Sequence, residues 1–309
     1  MRAILAIAAT TLATAAGASL ASAQQPAYLD DSIAPGANYA VAEFRFWAPP
    51  GTGPLRAVLV LNPGSNGDGR PAAADTVWQA FATKHHLGIV ATRFTDKPHD
   101  QGFFEDYVNV SHGSGDAFLT ALGHFAERSG HPEVATAPLL LWGMSAGGQF
   151  NYEFVAWKPE RVIGFVVNKG GVYYSALLSR AARQVPGILF TGGNDLAFRT
   201  NTINGLFAVN RRGLALWALA EEPDVAHVVG KSRDVALVLF EDLLALRLPK
   251  SGTGLVPLDE AAGFLGDLAT KTFAPQAGGK APTYPTAWLP TARVAQAWQA
   301  IVSGGTVGR

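Results

Sequence analysis

No cysteine occurs among the 309 residues. That excludes disulfide bridges, thiolate metal sites and a cysteine nucleophile together. Neither sign of charge dominates: 24 Lys and Arg balance 24 Asp and Glu, with no run of like charge. A protein that grips nucleic acid electrostatically needs a basic face to neutralise phosphates, so no nucleic-acid partner is expected. Internal repeats and long low-complexity segments are absent too, and after Ala23 no stretch is long and apolar enough to read as a membrane span.

The chain has apolar residues in quantity, 48% of the total, enough for a sizeable core. At the N-terminus Met1-Arg2 precedes ILAIAATTLATAAGASL and then Ala21-Ser22-Ala23. A basic start, an apolar stretch diluted by small residues and an A-x-A end make a secretory signal peptide, expected over residues 1–23. The mature chain would begin near Gln24, in the periplasm or outside the cell, with no membrane attachment after signal removal.

Apolar runs and amphipathic stretches then alternate. AVAEFRFW (40–47), RAVLVLN (56–62), LGIVATRF (87–94), APLLLWG (137–143), RVIGFVVN (161–168), VPGILFTGG (185–193) and LALWALAEE (214–222) read as strands. Residues 72–86, 114–128, 147–157 and 232–248 carry apolar side chains at helical spacing. This alternation predicts an α/β fold, a mostly parallel central sheet with helices on both faces and ligands at the carboxyl ends of the strands. One domain is expected over 24–250. Residues 251–309, rich in Gly, Pro and Ala, form a C-terminal appendage packed on it, with one helix predicted at 292–302.

At such a strand end lies Gly143-Met144-Ser145-Ala146-Gly147. A serine between glycines there is either a plain tight turn or a nucleophile elbow, and the pentapeptide alone does not choose. A serine hydroxyl needs a base, and the base needs a third group to fix its tautomer. In a strand–elbow–helix fold those partners follow as acid, then histidine. Six of the seven histidines (His85, His86, His99, His112, His124, His131) precede Ser145, so His227 is the sole base candidate. Asp195, just past the strand ending at 193, is the acid candidate, with turn chemistry as its plain reading. Glu221, Glu222 and Asp224 stand too close to His227 to come from a separate strand end, and Asn168-Lys169 supplies no carboxylate.

An oxyanion hole requires two N–H donors. Ala146, next after the serine, would supply one. The loop Asn62-Pro63-Gly64-Ser65-Asn66-Gly67 would supply the other, through Ser65 or alternatively Asn66, since Pro63 has no N–H. No Gly-Lys-Ser/Thr ending follows, which excludes a phosphate-binding loop.

With Ser145, Asp195 and His227 in that order, the chain resembles the α/β-hydrolase fold serine esterases over about residues 55–250. Within them it looks most like exported bacterial esterases of the polyhydroxybutyrate depolymerase and feruloyl esterase type. It departs where Pro63-Gly64 replaces the His-Gly pair common after the third strand, and in the 251–309 tail. The resemblance implies hydrolysis of a small-molecule or polymeric carboxylic ester through an acyl-enzyme, with no metal and no organic cofactor. Acyl transfer to an alcohol, a peptidase, and a catalytically silent binding protein on the same scaffold stay open as alternatives. Loops at the strand ends give the substrate-binding candidates Gly64, Asn66, Met144, Phe103, Tyr107 and Tyr173. Trp217 is expected in the core and Lys169 facing solvent.

Overall fold

The computed structural model describes residues 28–51, 53–100, 102, 104–249, 254–276 and 286–308. The expected leader at 1–23 and Phe103 lie outside the described residues. In chain order the elements are β1 (Leu29–Ile33), β2 (Val41–Trp47), β3 (Ala57–Asn62), α1 (Thr76–His85), β4 (Leu87–Thr95), α2 (Ser114–Ser129), β5 (Leu139–Met144), α3 (Ala146–Trp157), β6 (Val162–Asn168), α4 (Arg180–Arg183), β7 (Gly187–Gly192), α5 (Ala197–Arg212), β8 (Trp217–Glu222) and α6 (Ser232–Arg247). Then follow β9 (Phe264–Asp267), β10 (Thr272–Pro275), β11 (Thr286–Leu289) and α7 (Ala292–Val302).

Eight strands form the main sheet in the order β1-β2-β4-β3-β5-β6-β7-β8. From β4 to β8 all neighbours are parallel, while β1 and β2 join antiparallel at one edge. The continuous apolar strands are buried on both faces, as a sheet covered by crossover helices requires. Alternation sorts their side chains. Val58 and Val60 of β3 join a core with Phe118 of α2, Phe150 of α3 and Phe207 of α5. Ala57, Leu59 and Leu61 point the other way, onto Phe81 of α1, Phe240 of α6 and Trp298 of α7. Trp217 is fully buried, as expected.

Two boundaries differ from the sequence reading for visible reasons. The helix expected from residue 72 splits into a 3₁₀ turn at Arg70–Ala74 and α1, because the Asp75 carboxylate caps α1 by accepting the N–H groups of Val77 and Trp78. The C-terminal segment carries more than its one predicted helix: β10-β9-β11 form a small antiparallel sheet. The α7 residues Val294, Trp298 and Ile301 complete the second core, and the Trp298 indole donates to the Leu219 carbonyl of β8 at 2.7 Å. Among the described residues no helix is long and apolar enough to cross a membrane.

Candidate active site

Ser145 stands alone between the end of β5 and the start of α3, with φ 53° and ψ −122°. A non-glycine residue in that region is strained, and such strain persists only where the surroundings enforce it. The surroundings are visible. The Ser145 N–H donates to the Asn168 carbonyl at the end of β6 (2.8 Å), and its carbonyl accepts Gln149 N–H one turn on (3.0 Å). A Cβ at position 143 would collide with the Gly147 carbonyl, and one at 147 with the Asn62 carbonyl of β3. Both glycines are therefore sterically required, and the elbow's hydroxyl is left at the sheet's carboxyl edge.

The loops after β7 and β8 bring the other two candidates to that edge. The His227 imidazole contacts Ser145 Oγ through Nε2 at 3.0 Å and Asp195 Oδ2 through Nδ1 at 2.8 Å. The Asp195 side chain is 2% exposed and the His227 side chain 29%. The second Asp195 oxygen accepts Leu196 N–H (2.7 Å) and Arg199 Nη1 (3.1 Å). Burial alone would push the Asp195 carboxyl up. The hydrogen bond from His227, the Leu196 N–H and the Arg199 guanidinium outweigh it and hold the carboxyl below its ordinary value.

The β3 loop lies against the elbow: a Cβ on Gly64 would sit 3.7 Å from Ser145 Cβ. The Asn66 N–H donates to the Tyr107 hydroxyl (3.2 Å), and Asn66 Oδ1 accepts Asp96 N–H (2.7 Å). Among the described residues no acceptor faces the Ser65 N–H. At the first position of α3 the Ala146 N–H has no intrahelical acceptor. The Ser65 and Ala146 N–H groups are therefore without an acceptor among the described residues, whereas the Asn66 N–H is committed to Tyr107.

The side chains expected to line the pocket have packing partners of their own. Tyr107 is 4% exposed and stacks on Phe94, so it braces the loop that holds Asn66 from within the core. Tyr173 packs edge-on against Tyr152 at 5.0 Å, its hydroxyl buried beneath Gly170. Met144 turns its sulfur to the Asn168 amide (3.3 Å). Lys169, expected at the surface, is the clearest correction: it is wholly buried and pairs with Glu222 at 2.9 Å. Among the described residues no cluster of three or more His, Asp or Glu side chains is placed to hold a metal ion.

Sequence reasoning missed Arg199 and the Lys169–Glu222 pair. Arg199 follows Asp195 by four residues across a helix start, a spacing at which opposite charges meet. The pair carried no such local signal, because its partners end two strands separated by β7.

No family model matches the chain, and no curated protein matches it in sequence. Solved structures do. Poly(aspartic acid) hydrolase-1 from Sphingomonas sp. KT-1 is 17% identical, with a TM-score of 0.51 over 69% of this chain and 98% of that one. LpqC, a poly(3-hydroxybutyrate) depolymerase from Bordetella parapertussis, is 18% identical, with a TM-score of 0.48 over 69% and 87%. The esterase Pf2001 of Pyrococcus furiosus is 12% identical, with a TM-score of 0.49 over 71% and 91%. The chain has the α/β-hydrolase fold.

Proposed function

We propose that this chain is an exported serine hydrolase that cleaves carboxylic esters with Ser145, His227 and Asp195. One observation carries the reading: a single imidazole bridges the strained serine and a buried carboxylate, at 3.0 and 2.8 Å, from three separate strand ends. An imidazole so held takes the serine proton as the hydroxyl oxygen bonds to the ester carbonyl carbon. The tetrahedral oxyanion forms beside the free N–H groups of Ser65 and Ala146. His227 then gives the proton to the departing alcohol as the C–O bond breaks. Water repeats the sequence on the acyl-enzyme, releasing the acid and the free serine.

The rim of the site bears on the substrate. Leu196, Val228, Val229 and Tyr174, from loops after β6, β7 and β8, and Phe198 in the first turn of α5 are each 40% or more exposed. Exposed apolar side chains from the elements that carry Asp195 and His227 suit an ester with an apolar acyl or alcohol part. The leader-like N-terminus supports export to the periplasm or beyond.

The test is hydrolysis of p-nitrophenyl esters of increasing chain length, methyl ferulate and a polyhydroxybutyrate emulsion, with Ser145→Ala as control. The expected result is turnover by the wild type and a loss of about 10³-fold or more in the variant. Equal turnover by both proteins would remove the reading. Ester consumption giving a new ester in added alcohol, without free acid, would assign acyl transfer instead.

A further inference from the structure

The geometry points to the buried Lys169–Glu222 pair as a positioning device that holds the loop carrying His227 in register with the elbow. The inference rests on the hydrolase reading above and concerns residues that touch neither substrate nor the reacting atoms.

Lys169 follows β6, Glu222 ends β8, and β7 runs between them. Their side chains meet over the end of β7 because position 192 is glycine. A Cβ there would stand 3.0 Å from Lys169 Cε and would collide with the Val225 carbonyl. Both partners are removed from water, at 0% and 2% side-chain exposure. Removing two charges from water is costly, and a pair of this kind is weak evidence of stabilisation because apolar residues of similar volume often do as well or better. What the pair does is join the three loops that meet at the serine.

The contacts run in both directions from it. The Lys169 ammonium donates to Glu222 Oε1 (2.9 Å) and to Asn168 Oδ1 (3.1 Å). Asn168 is thereby oriented so that its amide donates to the Val229 carbonyl (2.9 Å), two residues after His227. The Asn168 carbonyl meanwhile accepts the N–H of Ser145 itself. On the other side Glu222 Oε2 accepts the Lys231 N–H (2.9 Å), closing the loop that begins at Pro223. Gly230, with φ 60°, is needed there because a Cβ would collide with the Glu222 carboxylate. The Glu222 carbonyl accepts Gly193 N–H (2.9 Å), and the Val225 carbonyl accepts Asn194 N–H (3.0 Å), immediately before Asp195. The nucleophile, the acid and the base are thus each within two residues of a contact that the pair organises. A loop 1 Å out of place would lose the short Nε2–Oγ contact that proton transfer needs, while leaving substrate binding at the rim intact.

The test compares wild type, Glu222→Gln, Lys169→Met and the double variant Lys169→Met/Glu222→Gln. Glu222→Gln keeps an acceptor for Lys231 N–H and removes the charge. Four readouts are taken: kcat and KM on a p-nitrophenyl ester, the rate of serine labelling by a fluorophosphonate, melting temperature, and the low-field proton NMR signal of the His227 Nδ1–H bonded to Asp195. Each single variant, with one buried charge unpaired, is expected to melt lower and to lose 10- to 100-fold in kcat with KM within about 3-fold. The double variant is expected to recover the melting temperature, yet to stay at least 10-fold slow in kcat and in labelling, with the His227 signal broadened or lost. A double variant with wild-type kcat and a wild-type His227 signal would overturn the inference and leave the pair a packing feature. If the single variants do not fold, the double variant decides alone. A wild type that neither turns over esters nor labels at serine removes the hydrolase reading, while the NMR comparison still decides whether the pair positions His227.

Discussion

Replacing Asp195 with asparagine is isosteric, and the structure dictates how the new amide must sit. One oxygen of Asp195 accepts two donors, Leu196 N–H at 2.7 Å and Arg199 Nη1 at 3.1 Å. The amide oxygen has to occupy that side, since an NH₂ group facing two donors would leave all three unsatisfied. The NH₂ therefore faces His227 Nδ1, where the carboxylate accepted before. A donor at that point forces the imidazole into the tautomer with its proton on Nε2, facing Ser145 Oγ. The base then has no lone pair for the serine proton. Where a Ser-His-Asp set operates, that single exchange costs about 10⁴ in kcat, or ~5.5 kcal/mol of transition-state stabilisation. Asp195→Asn is therefore expected to keep its fold and KM and to lose about four orders of magnitude in kcat on a p-nitrophenyl ester. Retention of kcat within tenfold would refute the reasoning, because no other carboxylate is placed on His227 among the described residues.

The other predictions follow from single contacts. Gly147→Ala sets a Cβ against the Asn62 carbonyl, and the backbone shift is expected to cost roughly 3 kcal/mol in urea unfolding and to abolish turnover. Tyr107→Phe removes the acceptor for Asn66 N–H, and about 1 kcal/mol of stability should go with it, together with a several-fold fall in kcat as the Ser65 loop loosens. Glu241 is held down to about 2, first by its hydrogen bond from Lys84, with burial opposing and Arg293 assisting. A carboxylate with a depressed folded value adds stability above its unfolded pKa, and loses it as pH falls through the folded one. Glu241→Gln should therefore lower stability slightly at pH 7, by under about 1 kcal/mol since the group is partly exposed, with the difference shrinking as pH falls toward the folded value and gone only below it. Asp195, also depressed, adds a pH-dependent part of the same sign, which Asp195→Asn removes from acid unfolding curves.

Much of this molecule was legible in its sequence because the signals were local. RAVLVLN and RVIGFVVN have the unbroken apolar character of strands covered on both faces, and they became β3 and β6. The serine between glycines offered the elbow as one of two readings, and the order of Asp195 and His227 after it chose; the steric need for Gly143 and Gly147 is local to that turn. What escaped lacked such signals. Residues 197–212 form α5, yet AFRTNTINGLFAVNRR is too polar to declare an inward stripe, and only Ile203, Leu206 and Phe207 bury apolar surface there. The strands of the small sheet are four residues each, too short for a period to emerge. Lys169 read as a surface residue because lysine is almost never buried unless paired, and its partner lies 53 residues away. Tyr107 and Tyr173 were expected in the pocket because they are aromatic residues on loops at the strand ends. Only packing reveals that one ring backs the Asn66 loop and the other leans on Tyr152.

The central claim is that Ser145 is a nucleophile activated by His227, and labelling tests it most directly. Wild-type protein, Ser145→Ala and His227→Ala are treated with a fluorophosphonate and mapped by peptide mass spectrometry. The account predicts one adduct per wild-type chain, on the peptide holding Ser145, none in Ser145→Ala and much slower labelling in His227→Ala. Labelling at another residue, or Ser145 labelling that proceeds undiminished without the imidazole, would contradict it.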